Sequence, residues 1–276
     1  MTTGFRAAQA GTALIGPHGA KPLARHDFSA PRLFVDQALR IGHPVPLERD
    51  QAHYLSNVLR LGNNDSVLAF NGRDGEWRCR LEGRKAAVTL RPEQQTRDQP
   101  PNGGPQLCFA PLKHARLDYM VQKAVEMGAG LLQPVLTRRT QAARVNEDRM
   151  RANAIEAAEQ CGILAVPEVR GPQRFEALLA SWDPGRLMVF CDEDAEVTDP
   201  VAALRGAGGE TGLATPAVSV LIGPEGGFDE GERRALLALP RRLRLSLGPR
   251  ILRADTAAVA ALTLVQSVLG DARGTA

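Results

Sequence analysis

The stretch Leu221-Ile-Gly-Pro-Glu-Gly-Gly-Phe-Asp-Glu230, with Leu245-Ser-Leu-Gly-Pro-Arg-Ile-Leu-Arg-Ala-Asp-Thr-Ala257 a short way downstream, decides how this chain folds. Each begins as a strand, breaks at a Gly/Pro loop and feeds a helix, which is how α/β proteins build ligand crevices at the carboxyl ends of their strands. Two such loops in succession imply one composite site. Adjacent glycines permit positive φ and close backbone approach to a ligand, while Pro224 and Pro249 stiffen the turns. The Lys-Ser/Thr ending of a Walker loop is missing, and GxGxxG is absent, so a nucleoside triphosphate site is disfavoured. A backbone-lined slot with few charges suits an adenosine-bearing ligand better than a polyphosphate. The plainer alternative is a pair of tight strand-helix connections. Against it stand the doubling itself and the presence of Glu225 on one loop and of Arg250, Arg253 and Asp255 on the other.

Upstream of these loops, strands and helices alternate. Apolar runs at residues 107–110, 131–136, 187–191 and 217–222 predict buried strands, and helical spacing predicts helices at 115–127, 146–161 and 173–182. Downstream, a helix is expected from Asp229, with Glu232 as its capping-box partner, then a strand at 242–247 and a helix from about Thr256 to Leu269. Continuous apolar strands between helices mean a parallel sheet covered on both faces. The last helix is apolar nearly all round, which predicts burial against the sheet or a second subunit.

The N-terminal third has a different pattern. Residues 1–30 show neither sustained periodicity nor a signal-peptide h-region and are expected to be a flexible tail. Residues 31–92 alternate as short strands joined by tight turns, with a helix at 50–60 that Asp50 is placed to cap, which predicts a small β-barrel. Residues 93–105, rich in Pro, Gly, Gln and Asn, are assigned as the linker, and 106–270 as the α/β domain.

Composition narrows the function. Cys79, Cys108, Cys161 and Cys191 form no CxxC pair and the histidines no ligand spacing, so reduced thiols and no metal are expected, in a cytoplasmic protein. No apolar run is long enough to predict a membrane span. A net charge of +3 is too small to prove a polyanionic partner, but arginines cluster at 241–253 and at 138–144. The planar guanidinium fork suits phosphate, so RNA is a reasonable partner, with solvated surface as the alternative.

The two quoted loops resemble the signature of the bacterial 16S ribosomal RNA uridine-N3 methyltransferases, members of the SPOUT class. Tyr54-Leu-Ser-Asn-Val-Leu-Arg-Leu61, Val121-Gln-Lys-Ala-Val-Glu-Met-Gly128 and Ala157-Ala-Glu-Gln-Cys-Gly162 with Val166-Pro-Glu168 match it too, so the resemblance spans Pro31 to Leu269. It implies a PUA-like RNA-binding barrel joined to an α/β domain whose C-terminal part is threaded into a trefoil knot. It also implies S-adenosylmethionine bound in the knot, a homodimer formed across it, and methylation of one uridine in the decoding region of small-subunit rRNA. By resemblance, Leu221, Ile222, Gly223, Glu225 and Gly227 form one wall of the cofactor slot, and Leu247, Gly248, Ile251 and Leu252 the other, with Phe190 and Cys191 closing the adenosine side. Two positions depart from the family: Asp255 stands where Glu is usual, and Ile163 where Arg is common.

Uridine N3 is about two pH units too basic to ionise at neutrality, so its deprotonation costs roughly 3 kcal/mol, which a nearby cation or base can supply. Arg253 or Arg250 is expected to stabilise the uridine anion or hold its phosphate, and Glu225 or Asp255 to orient that arginine or take the proton, with helix capping as the alternative for either acid. Arg32, Arg60, Lys113, Arg138 and Arg139 are candidate RNA contacts. Two rival functions stay open at this point, a SPOUT ribose 2′-O-methyltransferase and a non-catalytic rRNA-binding assembly factor.

Overall fold

The computed structural model describes residues 30–84, 87–142, 144–196, 199–208 and 217–273. The expected tail, apart from Ala30, lies outside the described residues.

The N-terminal unit holds strands β1 (Arg32–Phe34), β2 (Val45–Pro46), β3 (Ser66–Phe70), β4 (Glu76–Arg84) and β5 (Ala87–Arg97). They pair in the order β1-β3-β4-β5-β2, with β1 parallel to β3 and the other pairings antiparallel. Among the described residues this is a path with β1 and β2 at its ends, a half-barrel that answers to the small β-barrel expected. Alternation along β3 sends Val67 and Ala69 into the unit's own core with Leu33, Leu55, Cys79 and Leu90, while Phe70 turns to the other domain.

Two sequence expectations change here. The helix at 50–60 is instead α1 (Arg49–His53) continued by a π-turn at Tyr54–Val58. Glu48 takes the cap position, its backbone N–H donating to Gln51 Oε1, so Asp50 falls in the first turn rather than at the cap. The linker also starts later. β5 runs through 93–97 because Gln94, Gln95 and Arg97 still pair with β4, and the Arg97 guanidinium is held by Glu76. Polar composition concealed an exposed strand end.

The second unit is a wholly parallel sheet. Strands β6 (Gln106–Phe109), β7 (Leu131–Leu136), β8 (Glu168–Val169), β10 (Leu187–Cys191), β11 (Val218–Ile222) and β12 (Arg242–Leu245) lie in the order β12-β10-β11-β6-β7-β8, and β9 (Gln173–Arg174) pairs with β7. Helices α2 (His114–Glu126), α3 (Glu147–Cys161), α5 (Pro200–Gly208) and α7 (Ala254–Leu269) contribute Val121, Ala154, Leu204 and Leu262 to the core on one face. On the other face, α4 (Phe175–Ala180) and α6 (Glu230–Leu237) contribute Phe175, Leu178 and Leu236. The expected doubly covered sheet is present. Helix α5 gave no signal, and α7 starts two residues early, which brings Asp255 into its first turn.

The two units share a hydrophobic seam. Phe34 and Phe70 meet edge to face at 5.6 Å and pack into the core of the second unit. Phe34 N–H donates to Glu159 Oε1 of α3 at 2.8 Å, and Arg97 Nη2 donates to the Gly162 carbonyl at 2.9 Å. Arg32 belongs to this seam and not to an RNA surface. Its Nε lies 3.0 Å from Glu76 Oε2, and its side chain is only 4% exposed, so the expected phosphate contact is overturned.

Candidate active site

The sheet order places β10 between β11 and β12, so the loops leaving β11 and β12 flank the carboxyl end of β10. Together they enclose a cavity of about 340 Å³, within the range of small-molecule sites. Ile222, Gly223, Pro224, Glu225, Gly227 and Phe228 form one wall, and Ser246, Leu247, Gly248, Pro249, Arg250 and Leu252 the other. Cys191, Asp192 and Glu193 close the end, and Ile251 stands at the mouth, 89% exposed.

Most of the expected wall residues therefore meet, but Phe190 and Leu221 do not line the cavity. They are paired cross-strand neighbours whose side chains point to the opposite face of the sheet, where Phe190 meets Phe228 edge to face. Their successors Cys191 and Ile222 face the cavity instead, as the two-residue strand period requires. Conversely, strand spacing gave no reason to pick Asp192 and Glu193, which lie in the loop just beyond β10.

Two glycines are required by the backbone. Gly227 has φ +69°, and a Cβ there would lie 2.6 Å from Glu193 Oε1. Gly248 has φ +98°, and a Cβ there would meet nothing within 4 Å, leaving room for a ligand beside the second loop.

The acid at the closed end of the cavity, Asp192, is tightly held. The Asp192 carboxylate, 2% exposed, accepts from Arg233 Nε and Arg244 Nε, each at 2.8 Å. Burial alone would raise its pKa, but the two guanidinium partners outweigh it and hold it below the usual carboxylate value. Burial pushes the Cys191 thiol up to about 12, which leaves it a thiol and not a nucleophile near neutral pH.

Glu225 and Asp255 meet through a residue the sequence reading missed. Arg116 of α2 donates through Nη1 to Glu225 Oε1 at 2.9 Å, and through Nε and Nη2 to the two Asp255 oxygens at 3.0 and 3.1 Å. The hydrogen bonds from Arg116 are the main cause holding Asp255 below the usual carboxylate range, so it is a poor base. These acids therefore orient Arg116, and not Arg250 or Arg253 as expected. Arg250 lines the cavity, whereas Arg253 occupies the N-cap position of α7, and among the described residues neither makes a side-chain ion pair. A basic position more than a hundred residues upstream carried no motif linking it to the loops.

The remaining candidates are spread more widely. Arg138 pairs with Asp229 at 3.1 Å yet stays 70% exposed, and Arg139 donates to the Gly226 carbonyl, so both brace the first loop. Lys113 is exposed at the N-cap of α2, and Arg60 is exposed with φ +56°.

A two-domain α/β protein with an acid-bearing crevice between paired Gly/Pro loops defines a small-molecule-binding protein of the doubly covered parallel-sheet class. Comparison with known families sharpens this. Residues 102–266 match the RNA methyltransferase domain, and residues 47–91 match the RNA methyltransferase PUA domain. The chain belongs to the RNA methyltransferase family, and is an enzyme of that kind.

Relatives named ribosomal RNA small subunit methyltransferase E include one from Synechocystis sp., 30% identical over 246 residues, covering 86% of this chain and 78% of that protein. Another, from Rickettsia conorii, is 28% identical over 237 residues, covering 85% and 94%. The crystal structure of a ribosomal RNA small subunit methyltransferase E from Neisseria gonorrhoeae, bound to S-adenosyl methionine, superposes with a TM-score of 0.74 at 25% identity, covering 88% of this chain and 99% of that one. A putative methyltransferase from Legionella pneumophila in complex with the same cofactor gives 0.72 at 25% identity, covering 86% and 97%.

Proposed function

We propose that this protein transfers the methyl group of S-adenosylmethionine to N3 of one uridine in the decoding region of 16S ribosomal RNA. The observation that carries this is the crevice between the two loops, in a fold shared with relatives that hold that cofactor. The residues present fit the group. Apolar Ile222, Leu247 and Leu252 can take a flat base, Gly248 leaves space at the wall, and Glu193 and Glu225 suit a ligand bearing a sulfonium and an ammonium better than a polyphosphate.

When bound, S-adenosylmethionine supplies an electrophilic methyl group. The backbone of 223–227 and 247–252 holds the cofactor and excludes water from it. Arg253, next in the chain to the wall residue Leu252 and without a side-chain ion pair among the described residues, stabilises the uridine anion as the N3 proton passes to solvent water, with Arg250 assisting from the wall. Because N3 is used in base pairing, the target base is unpaired or flipped out. Arg60 and Lys113 contact phosphates, and Arg138 and Arg139 add exposed charge beside the first loop. The protein works in the cytoplasm as a homodimer across the half-buried apolar side of α7, with its C-terminal segment threaded as a trefoil knot.

The test uses labelled S-adenosylmethionine and small subunits lacking the modification, followed by nucleoside analysis. Label in 3-methyluridine is expected; label in a 2′-O-methylated nucleoside, or none at all, overturns the assignment. In the same assay Arg253→Ala is expected to lower turnover by about 10²-fold or more while leaving cofactor affinity within about twofold. Full turnover in that variant removes Arg253 from the chemistry.

A further inference from the structure

Arg116 sits where its own helix disfavours it. Lys113 is the N-cap of α2 and Arg116 lies in the first turn, which contains no acidic residue. Cations there oppose the helix dipole, whose positive end lies at the N-terminus. A guanidinium in that position therefore needs a reason outside the helix, and its contacts supply one.

The three hydrogen bonds from Arg116 reach two carboxylates that are separate in the chain. Glu225 lines the crevice on the loop after β11; Asp255 lies in the first turn of α7, directly after the loop from β12. The Asp255 bond is bidentate, and Asp255 Oδ1 also accepts from Thr256 N–H at 2.9 Å, so this end of the bridge is anchored in a helix. The Glu225 bond is single, and that carboxylate is 45% exposed, so this end is the one able to part. Without the guanidinium, two like charges would face each other across the walls.

We propose that Arg116 is a positioning residue of the methyl-transfer site: it fastens the wall bearing Glu225 to the start of α7 at Asp255, and thereby sets the width of the cofactor crevice. This rests on the cofactor reading given above. Arg116 touches neither methyl donor nor acceptor; it acts through the two acids, which leaves Arg250 and Arg253 available to the RNA.

Calorimetric titration with S-adenosylmethionine tests it on the full chain. Wild type is expected to bind, and Arg116→Ala to bind about tenfold or more weakly with a thermal midpoint close to wild type. Arg116→Lys, which keeps the charge but cannot form the fork, is expected to recover part of the loss, as is methylguanidinium added to Arg116→Ala. Affinity within twofold of wild type in Arg116→Ala overturns the proposal. So does a loss that neither lysine nor methylguanidinium relieves, since packing alone then accounts for it. Should Arg116→Ala fail to fold, Asp255→Asn carries the same test, with weaker binding supporting the bridge and unchanged binding overturning it. Absence of binding by wild type overturns the cofactor reading itself and is thereby distinguished from failure of the bridge.

Discussion

At the scale of single residues, one-position differences along a strand separate packing from binding. Phe190 and Cys191 are neighbours in sequence, yet one fills the core under α4 and α6 while the other borders the cavity. Leu221 and Ile222 divide in the same way, because adjacent side chains on a strand point to opposite faces. Phe190→Ala is accordingly expected to act on stability, costing about 3–5 kcal/mol by leaving a cavity between the sheet and Phe228. Urea unfolding measures this. A variant of wild-type stability with weakened cofactor binding would mean that Phe190 contacts the ligand after all.

At the scale of elements, the contact between α3 and β1 carries an acid with a pH signature. Glu159 accepts from Phe34 N–H, and burial, which outweighs that hydrogen bond, raises its pKa from 4.5 to about 7, with Glu156 adding to the rise. The fold thus favours the protonated acid. Its contribution to stability is full below about pH 4.5, declines as the pH rises, and is lost once the pH has passed about 7. Glu159→Gln keeps an acceptor for Phe34 without the charge. It is expected to exceed wild type by on the order of 3 kcal/mol above pH 8 and to match it near pH 4.5. Denaturation at the two pH values measures the difference; an equal gap at both would assign the effect to something other than this ionisation.

At the scale of the whole molecule, the seam between the units ties the half-barrel to α3 and to the core of the parallel-sheet unit. Glu76 joins Arg32 and Arg97, and Arg97 in turn holds the end of α3 at Gly162. Arg32 therefore serves the frame, while Arg60 and Lys113 are exposed, one on each unit. Charge reversal at either is expected to weaken binding to rRNA and to lower the slope of log affinity against log salt by about 1. Affinity measured at several salt concentrations checks this, and an unchanged slope would exclude a phosphate contact at that position.

Much of this protein is written locally. The strand-to-loop transitions at Ile222-Gly223 and Leu247-Gly248, the capping box of Asp229 and Glu232, and the left-handed Gly162 ending α3 all follow from the backbone needs of single residues and their near neighbours. Such features are legible because propensity, capping and strand period act over a few residues. The sequence alone thus determined the parallel sheet, its paired loops and most of the crevice wall. Tertiary structure decided which side of each strand faces the cavity, drew Arg32 into a buried pair with Glu76, and brought Arg116 to both Glu225 and Asp255. Those outcomes depend on strand order and helix docking, which join residues 44 positions apart in the Arg32–Glu76 pair and more than a hundred in the Arg116 contacts, and no local preference encodes such a meeting.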